Sequence, residues 1–205
     1  VSAISALLVR HLALTRGGRL LQPDFSFSVS AGEMLSVHGP NGAGKTSLLR
    51  AIAGLLEVPY GSIEFRAYPH GTIADAEERL GSVGWLGHQD GIKRQLTLIE
   101  NLLFHCRYNQ SGGCPEEALE ILGLARFRHL PAQYLSHGQR RRLAFARLVV
   151  VPKSLWLLDE PFSAIDEKGK ECIRQQIGAH RGKGGIVVAA THEPLGINCA
   201  SLELQ

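Results

Sequence analysis

The residues best equipped for chemistry lie in one run, Gly39-Pro40-Asn41-Gly42-Ala43-Gly44-Lys45-Thr46, followed by Ser47. It satisfies the pattern GxxxxGK[ST] at each fixed position. Glycines let the backbone curl so that successive N–H groups point inward at phosphate oxygens. A helix starting at the end of the run would add its positive dipole end. Lys45 is then the cation that reaches the outer phosphates, and the Thr46 hydroxyl is a Mg²⁺ ligand. A second set agrees with the first. Leu155-Trp156-Leu157-Leu158 is an apolar run ending in Asp159-Glu160. Carboxylates at the C-terminal end of a buried parallel strand sit where such folds bind ligands. Asp159 suits Mg²⁺, which keeps much of its hydration shell. Glu160 is placed to polarise a water attacking the terminal phosphorus.

Leu135-Ser136-His137-Gly138-Gln139 forms a third set. Ser136 and Gln139 have capping-box spacing, so the helix they open presents free N–H groups, and Gly138 leaves room for a phosphate to approach. The following Arg140-Arg141-Arg142 reads as a solvated or locally ion-paired turn, not as a nucleic-acid surface. None of the nine histidines forms a pair with metal-ligand spacing. The four cysteines contain no CxxC pair, which argues against zinc and for free thiols in a reducing compartment.

Positioning these groups requires strands that deliver loops to one edge. Leu7 to Val29 alternates about Arg16-Gly17-Gly18-Arg19 as a hairpin, with Phe25, Phe27 and Val29 on one face. Met34–Val37 is a short strand feeding the glycine-rich loop, and a helix over Ser47–Ala53 stops at Gly54. A strand ends at Trp85–Gly87. Thr97-Leu98-Ile99-Glu100 is a capping box, and Pro115 starts a helix that Gly123 stops. Leu155–Leu158 and Ile186–Ala190 are continuous apolar strands with a helix near Glu171–Ile177 between them. Such alternation predicts an α/β fold: a mostly parallel sheet with an N-terminal antiparallel β part and a small helical insertion at roughly 96–150. The 205 residues suit one domain, 1–205, and a net charge of +3 with 44% hydrophobic residues excludes disorder. No stretch approaches 18 apolar residues, so none spans a bilayer. The apolar N-terminal stretch reads as a strand instead of a signal peptide.

With these motifs in order, the chain resembles the ABC-type ATPases. Leu135–Gln139 is similar to their signature LSGGQ, with His137 in place of a glycine. Gln89 stands where they carry the Q-loop glutamine, Ser163-Ala164-Ile165-Asp166 resembles the D-loop, and His192 resembles the switch histidine. The resemblance implies a P-loop NTPase of ABC type that hydrolyses ATP with Mg²⁺. Glu160, His192 and Gln89 are its implied catalytic residues, and Thr46, Gln89 and Asp159 its metal ligands. It also implies an ATP-dependent head-to-tail homodimer in which Ser136, Gly138 and Gln139 contact the γ-phosphate on the partner chain. Arg16 stands where the family carries an adenine-stacking aromatic; a guanidinium can also stack on a base.

Within the family, Gly87–Lys93, Leu158–Asp166 and Gly184–His192 look like the haem-exporter ATP-binding subunit of bacterial cytochrome c maturation. That likeness implies a peripheral ATPase on the cytoplasmic face of the inner membrane. Its partners would be an ABC permease subunit, a haem-handling membrane protein and a haem chaperone, with no nucleic acid. Hydrolysis would accompany haem export or release of a haem-loaded periplasmic chaperone. Alternatives are a soluble ABC ATPase acting on nucleic acid or ribosomes, an ABC ATPase for another transported substrate, and a small-molecule P-loop kinase. The kinase has no use for Leu135–Gln139. The loop Asp90–Gln95 is expected to dock a cytoplasmic helix of the permease through Ile92.

Overall fold

The computed structural model describes residues 4–16, 19–67, 71–73 and 75–205, without the side chains of 16, 19, 20, 22, 23 and 76. Strands β1 (Ile4–Arg16) and β2 (Arg19–Ser30) form the expected antiparallel hairpin. The buried residues of β1 change parity, from Leu7 and Val9 to Leu12 and Leu14. A register shift between Val9 and Leu12, with His11 at φ 48, makes this parity change without turning apolar groups outward.

β3 (Met34–His38) runs into the glycine-rich loop, and α1 (Lys45–Ile52) begins inside that motif, two residues earlier than expected. β4 (Tyr60–Ala67) and β5 (Gly71–Ile73) complete an antiparallel sheet of order β2-β1-β4-β5. They and the short helix α2 (Ala76–Gly81) were not foreseen. β4 is mostly solvent-facing, so its apolar alternation is too weak to read.

The second sheet is parallel. β6 (Val83–Leu86) is followed by α3 (Leu98–Tyr108), α4 (Pro115–Ile121) and α5 (His137–Val150) before β7 (Leu155–Asp159). These helices stand between β6 and β7, with both capping boxes and Pro115 at the first turn of α4. α6 (Glu167–Gly182) is longer than expected because Asp166 caps it, its side chain accepting from the Gly169 N–H. β8 (Ile186–Ala190) and β9 (Ala200–Glu203) finish an order of β6-β7-β8-β3-β9.

β7 and β8 are buried on both faces, which is why they read as continuous apolar runs. Their side chains alternate between two cores. Trp156, Leu158, Val187 and Ala189 pack with the inserted helices. Leu155, Leu157, Val188 and Ala190 pack with α1 and the antiparallel sheet. The register aligns Val37 and Asp159 with Ala190, and Leu86 with Leu158. The loops after β3, β6, β7 and β8 therefore leave one edge of the sheet together, and every phosphate-directed motif except Leu135–Gln139 lies on them. Among the described residues, no helix is long and apolar enough to cross a membrane.

Candidate nucleotide-binding site

The loop after β3 turns through Gly39 (φ 135), Gly42 (φ 88) and Gly44 (φ 101), conformations that disfavour side chains. Gly44 is the N-cap of α1, so the helix's free N–H groups face the loop's interior. A Cβ at Gly39 would strike the carbonyl of Leu204, just past β9. Lys45 is 8% exposed, and its Nζ donates to the carbonyls of Gly39 (2.6 Å) and Pro40 (3.1 Å). The ammonium thus sits at the centre of curvature of the loop.

Parallel pairing brings the second set beside it. The Thr46 hydroxyl donates to Asp159 Oδ2 at 2.9 Å, closing a contact between residues 113 positions apart. Glu160 leaves the strand with φ 50, held by its N–H donating to the Ala190 carbonyl at 2.8 Å. Its carboxylate faces His192: Oε2 accepts from the His192 backbone N–H and Oε1 lies opposite Nε2, each at 3.4 Å. A cleft of about 370 Å³ is lined by Asn41, Gly42, Lys45, Thr46, Glu160 and His192 among others. Ser47 and Asp159 also line it, as do His88 and Leu21, to which sequence reasoning gave no role. Gln89 lines an adjoining cleft that shares Thr46 and Asp159. The side chain of Arg16 lies outside the described residues.

Ser136, Gly138 and Gln139 line neither cleft. They open α5 through a reciprocal capping box, with Ser136 N–H donating to Gln139 Oε1 at 2.8 Å and Gln139 N–H to Ser136 Oγ at 3.2 Å. The room at Gly138 is used within the chain: a Cβ there would strike the carbonyl of Ala164, a residue at φ 59 in the turn before α6. The absence of a side chain at Gly138 is thus already required within the chain. Its small size lets the start of α5 rest on the Ser163–Asp166 turn.

The arginine triplet also departs from expectation. Arg141 is 2% exposed, not solvated. Its Nη1 donates to the Gly87 carbonyl (2.7 Å) and to Asp90 Oδ1 (3.1 Å), and its Nη2 to the carbonyls of Asp159 and, at 3.0 Å, Glu160. Arg140 donates locally, to the Leu135 carbonyl, and Arg142 reaches the Leu122 carbonyl at the end of α4. The signal was present in the spacing: Arg141 precedes Phe145 and Leu148, both buried, by four and seven positions on one helix face. Arg147 adds a bond to the Gly91 carbonyl at 3.2 Å, and burial lowers its pKa to about 10. His105 beside it is held near 4 by burial and then by the charges of Arg147 and Lys93.

The loop after Gln89 is therefore clamped. Buried Asn101 on α3 bonds Lys93 through both backbone groups and also the Leu96 and Thr97 carbonyls. Ile92 is half-buried and rests against the helical core. Exposed apolar groups nearby include Phe104 and Tyr108 on α3, stacked at 6.4 Å, with Lys93 Nζ over the Phe104 ring at 4.5 Å.

A family model described as ABC transporter matches residues 23–163. The chain is 45% identical over 204 residues to the cytochrome c biogenesis ATP-binding export protein CcmA of Rhizobium meliloti (strain 1021), covering 97% of both chains. To the protein of the same name in Escherichia coli (strain K12) it is 42% identical over 191 residues, covering 93% of this chain and 91% of that one. Among solved structures, an ABC transporter ATP-binding protein from Pyrococcus furiosus superposes with a TM-score of 0.83 at 24% identity, covering 98% of each. A bacterial Atm1-family ABC exporter with ATP bound gives 0.83 at 20% identity over all of this chain and 38% of that one. At these identities the structural likeness speaks for the fold.

Proposed function

Because the chain belongs to the ABC transporter family, it is an ATP hydrolase coupled to transport, and we propose that it is the ATP-binding subunit of a cytochrome c biogenesis exporter. Near full-length likeness to the export proteins of that name is the observation that carries this reading.

The site supports the chemistry as follows. The loop amides and Lys45 bind the β- and γ-phosphates, and the N-terminus of α1 favours their charge. Magnesium fits the donor set: the Thr46 hydroxyl and Asp159 carboxylate are hard oxygen donors already adjacent, with the Gln89 amide on the adjoining cleft. Bound with ATP, the ion neutralises phosphate charge. Glu160 takes the proton from water as it attacks the γ-phosphorus, while the bond from that phosphorus to the bridging oxygen breaks. His192 orients this carboxylate through its backbone N–H and ring, and lines the same cleft.

Ser136, Gly138 and Gln139, lying outside the cleft, complete the site of a second copy of the chain in a head-to-tail dimer. The subunit works peripherally, on the cytoplasmic face of the inner membrane. There it drives a permease that serves haem export or release of a haem-loaded chaperone. The Phe104–Tyr108 stack, rimmed by Lys93, is the surface that receives the permease, since an apolar patch with a charged edge suits a protein contact.

Co-purification from membranes tests this reading. The unsubstituted chain is expected to retain an identified permease of cytochrome c maturation. A Phe104→Asp, Tyr108→Asp chain is expected to bind ATP normally and lose the permease, because two charged groups would have to be desolvated where two rings were buried. Retention of the permease by that variant rejects the docking surface. Failure of the unsubstituted chain to retain any such permease rejects the function.

A further inference from the structure

We propose that Arg141 is a positioning residue that sets the backbone of Glu160 and ties it to the loop Gly87–Asp90. This rests on the reading of Glu160 as the base. One planar fork spans two motifs that are remote in sequence. Nη2 holds the carbonyls of Asp159 and Glu160, and Nη1 holds the Gly87 carbonyl and the Asp90 carboxylate. Glu160 adopts φ 50, a conformation that a non-glycine residue keeps only where its surroundings over-determine it. The Ala190 carbonyl fixes its N–H, and Arg141 fixes its carbonyl. The residue is thus pinned on both sides, which aims its side chain at His192.

The charge of Arg141 is buried, and Asp90 is the acidic group paired with it. That pairing makes the position of the loop and the position of Glu160 one property: the guanidinium cannot follow the loop without releasing the carbonyls. Since Gln89 lies between Gly87 and Asp90, a partner that moves this loop also moves the base. A lysine cannot reproduce the arrangement, because its compact ammonium lacks the fork that reaches four acceptors in two directions.

The test uses the full chain carrying Arg141→Lys, Asp90→Ala, Glu160→Gln, and Arg141→Lys with Glu160→Gln. ATP affinity and single-turnover hydrolysis are measured on each. Arg141→Lys is expected to bind ATP within about two-fold of the unsubstituted chain and hydrolyse it on the order of 100-fold more slowly, the cost of a misplaced catalytic group. Asp90→Ala, a milder change that keeps the guanidinium and its carbonyl contacts, is expected to show the same split to a smaller extent. It decides the matter if Arg141→Lys does not fold. The double variant is expected to be no slower than Glu160→Gln alone, because Arg141 acts through that residue, whereas a merely structural arginine would add its own loss. Unchanged turnover in Arg141→Lys and Asp90→Ala, additive losses in the double variant, or parallel loss of affinity and turnover overturns the positioning role. Normal turnover by Glu160→Gln strikes instead at the base assignment on which it rests.

Discussion

Replacing Glu160 by Gln separates binding from chemistry more cleanly than any other single change in this site. The amide has the shape of the carboxylate, so its oxygen can still accept the His192 backbone N–H and its NH₂ can face the ring nitrogen, both now at 3.4 Å. Contacts that long are weak, and losing their charge assistance costs the folded chain under about 1 kcal/mol. Lys45, Thr46 and Asp159, which hold phosphates and ion, keep their present bonds. ATP affinity should therefore stay within about five-fold, the factor that 1 kcal/mol represents. The transition state loses its proton acceptor. General bases contribute typically about 10²–10⁴-fold, so the barrier should rise by about 3–5 kcal/mol. Single-turnover hydrolysis of γ-labelled ATP, with equilibrium binding measured on the same preparation, reads both quantities. A rate within three-fold of the unsubstituted chain would falsify the base assignment and direct attention to His192 as the alternative acceptor. A parallel collapse of affinity would show that Glu160 organises the cleft instead of the reaction.

Lys45→Ala is expected to abolish tight ATP binding, since it removes the ammonium at the centre of the loop's curvature; normal affinity in a binding titration refutes the phosphate site. Mixed with Ser136→Ala, it is expected to recover part of the activity that neither variant has alone. Opposite defects leave one composite site intact, and no recovery at any ratio argues against shared sites. His180 is stacked on Trp156 at 3.9 Å, and burial lowers its pKa from 6.5 to about 4. Between those values the unfolded chain binds the extra proton, so stability is full above about pH 6.5 and falls as pH drops toward 4, by up to about 3 kcal/mol. His180→Phe keeps the stack and should flatten the slope of unfolding free energy between roughly pH 7 and 5; an unchanged slope shows that other groups, such as His105, carry the acid sensitivity.

Local signals carried much of the site. The glycine spacing of the phosphate loop, the apolar run before Asp159 and the capping boxes at Thr97 and Ser136 are all set by neighbours within a few residues, so they are visible in order along the chain. The buried strands β7 and β8 are legible for the same reason, since both faces are covered and no alternation is needed. β4 and β5 escaped because strands that are mostly exposed leave little apolar pattern.

What tertiary structure alone decided is which groups meet. Thr46 and Asp159, Glu160 and His192, and Arg141 with Gly87 and Asp90 come together because β6, β7, β8 and β3 lie side by side in register, an order that is not their order in the chain. Arg141 left its expected place for one reason: polarity along a sequence shows what a side chain prefers, not which neighbours can satisfy it. Arg141 found three carbonyls and a carboxylate in the interior, enough partners to bury a charge that composition would have left in water. Residue types and short spacings thus determined the chemistry this chain can perform, and the crossing of parallel strands determined which residues perform it together.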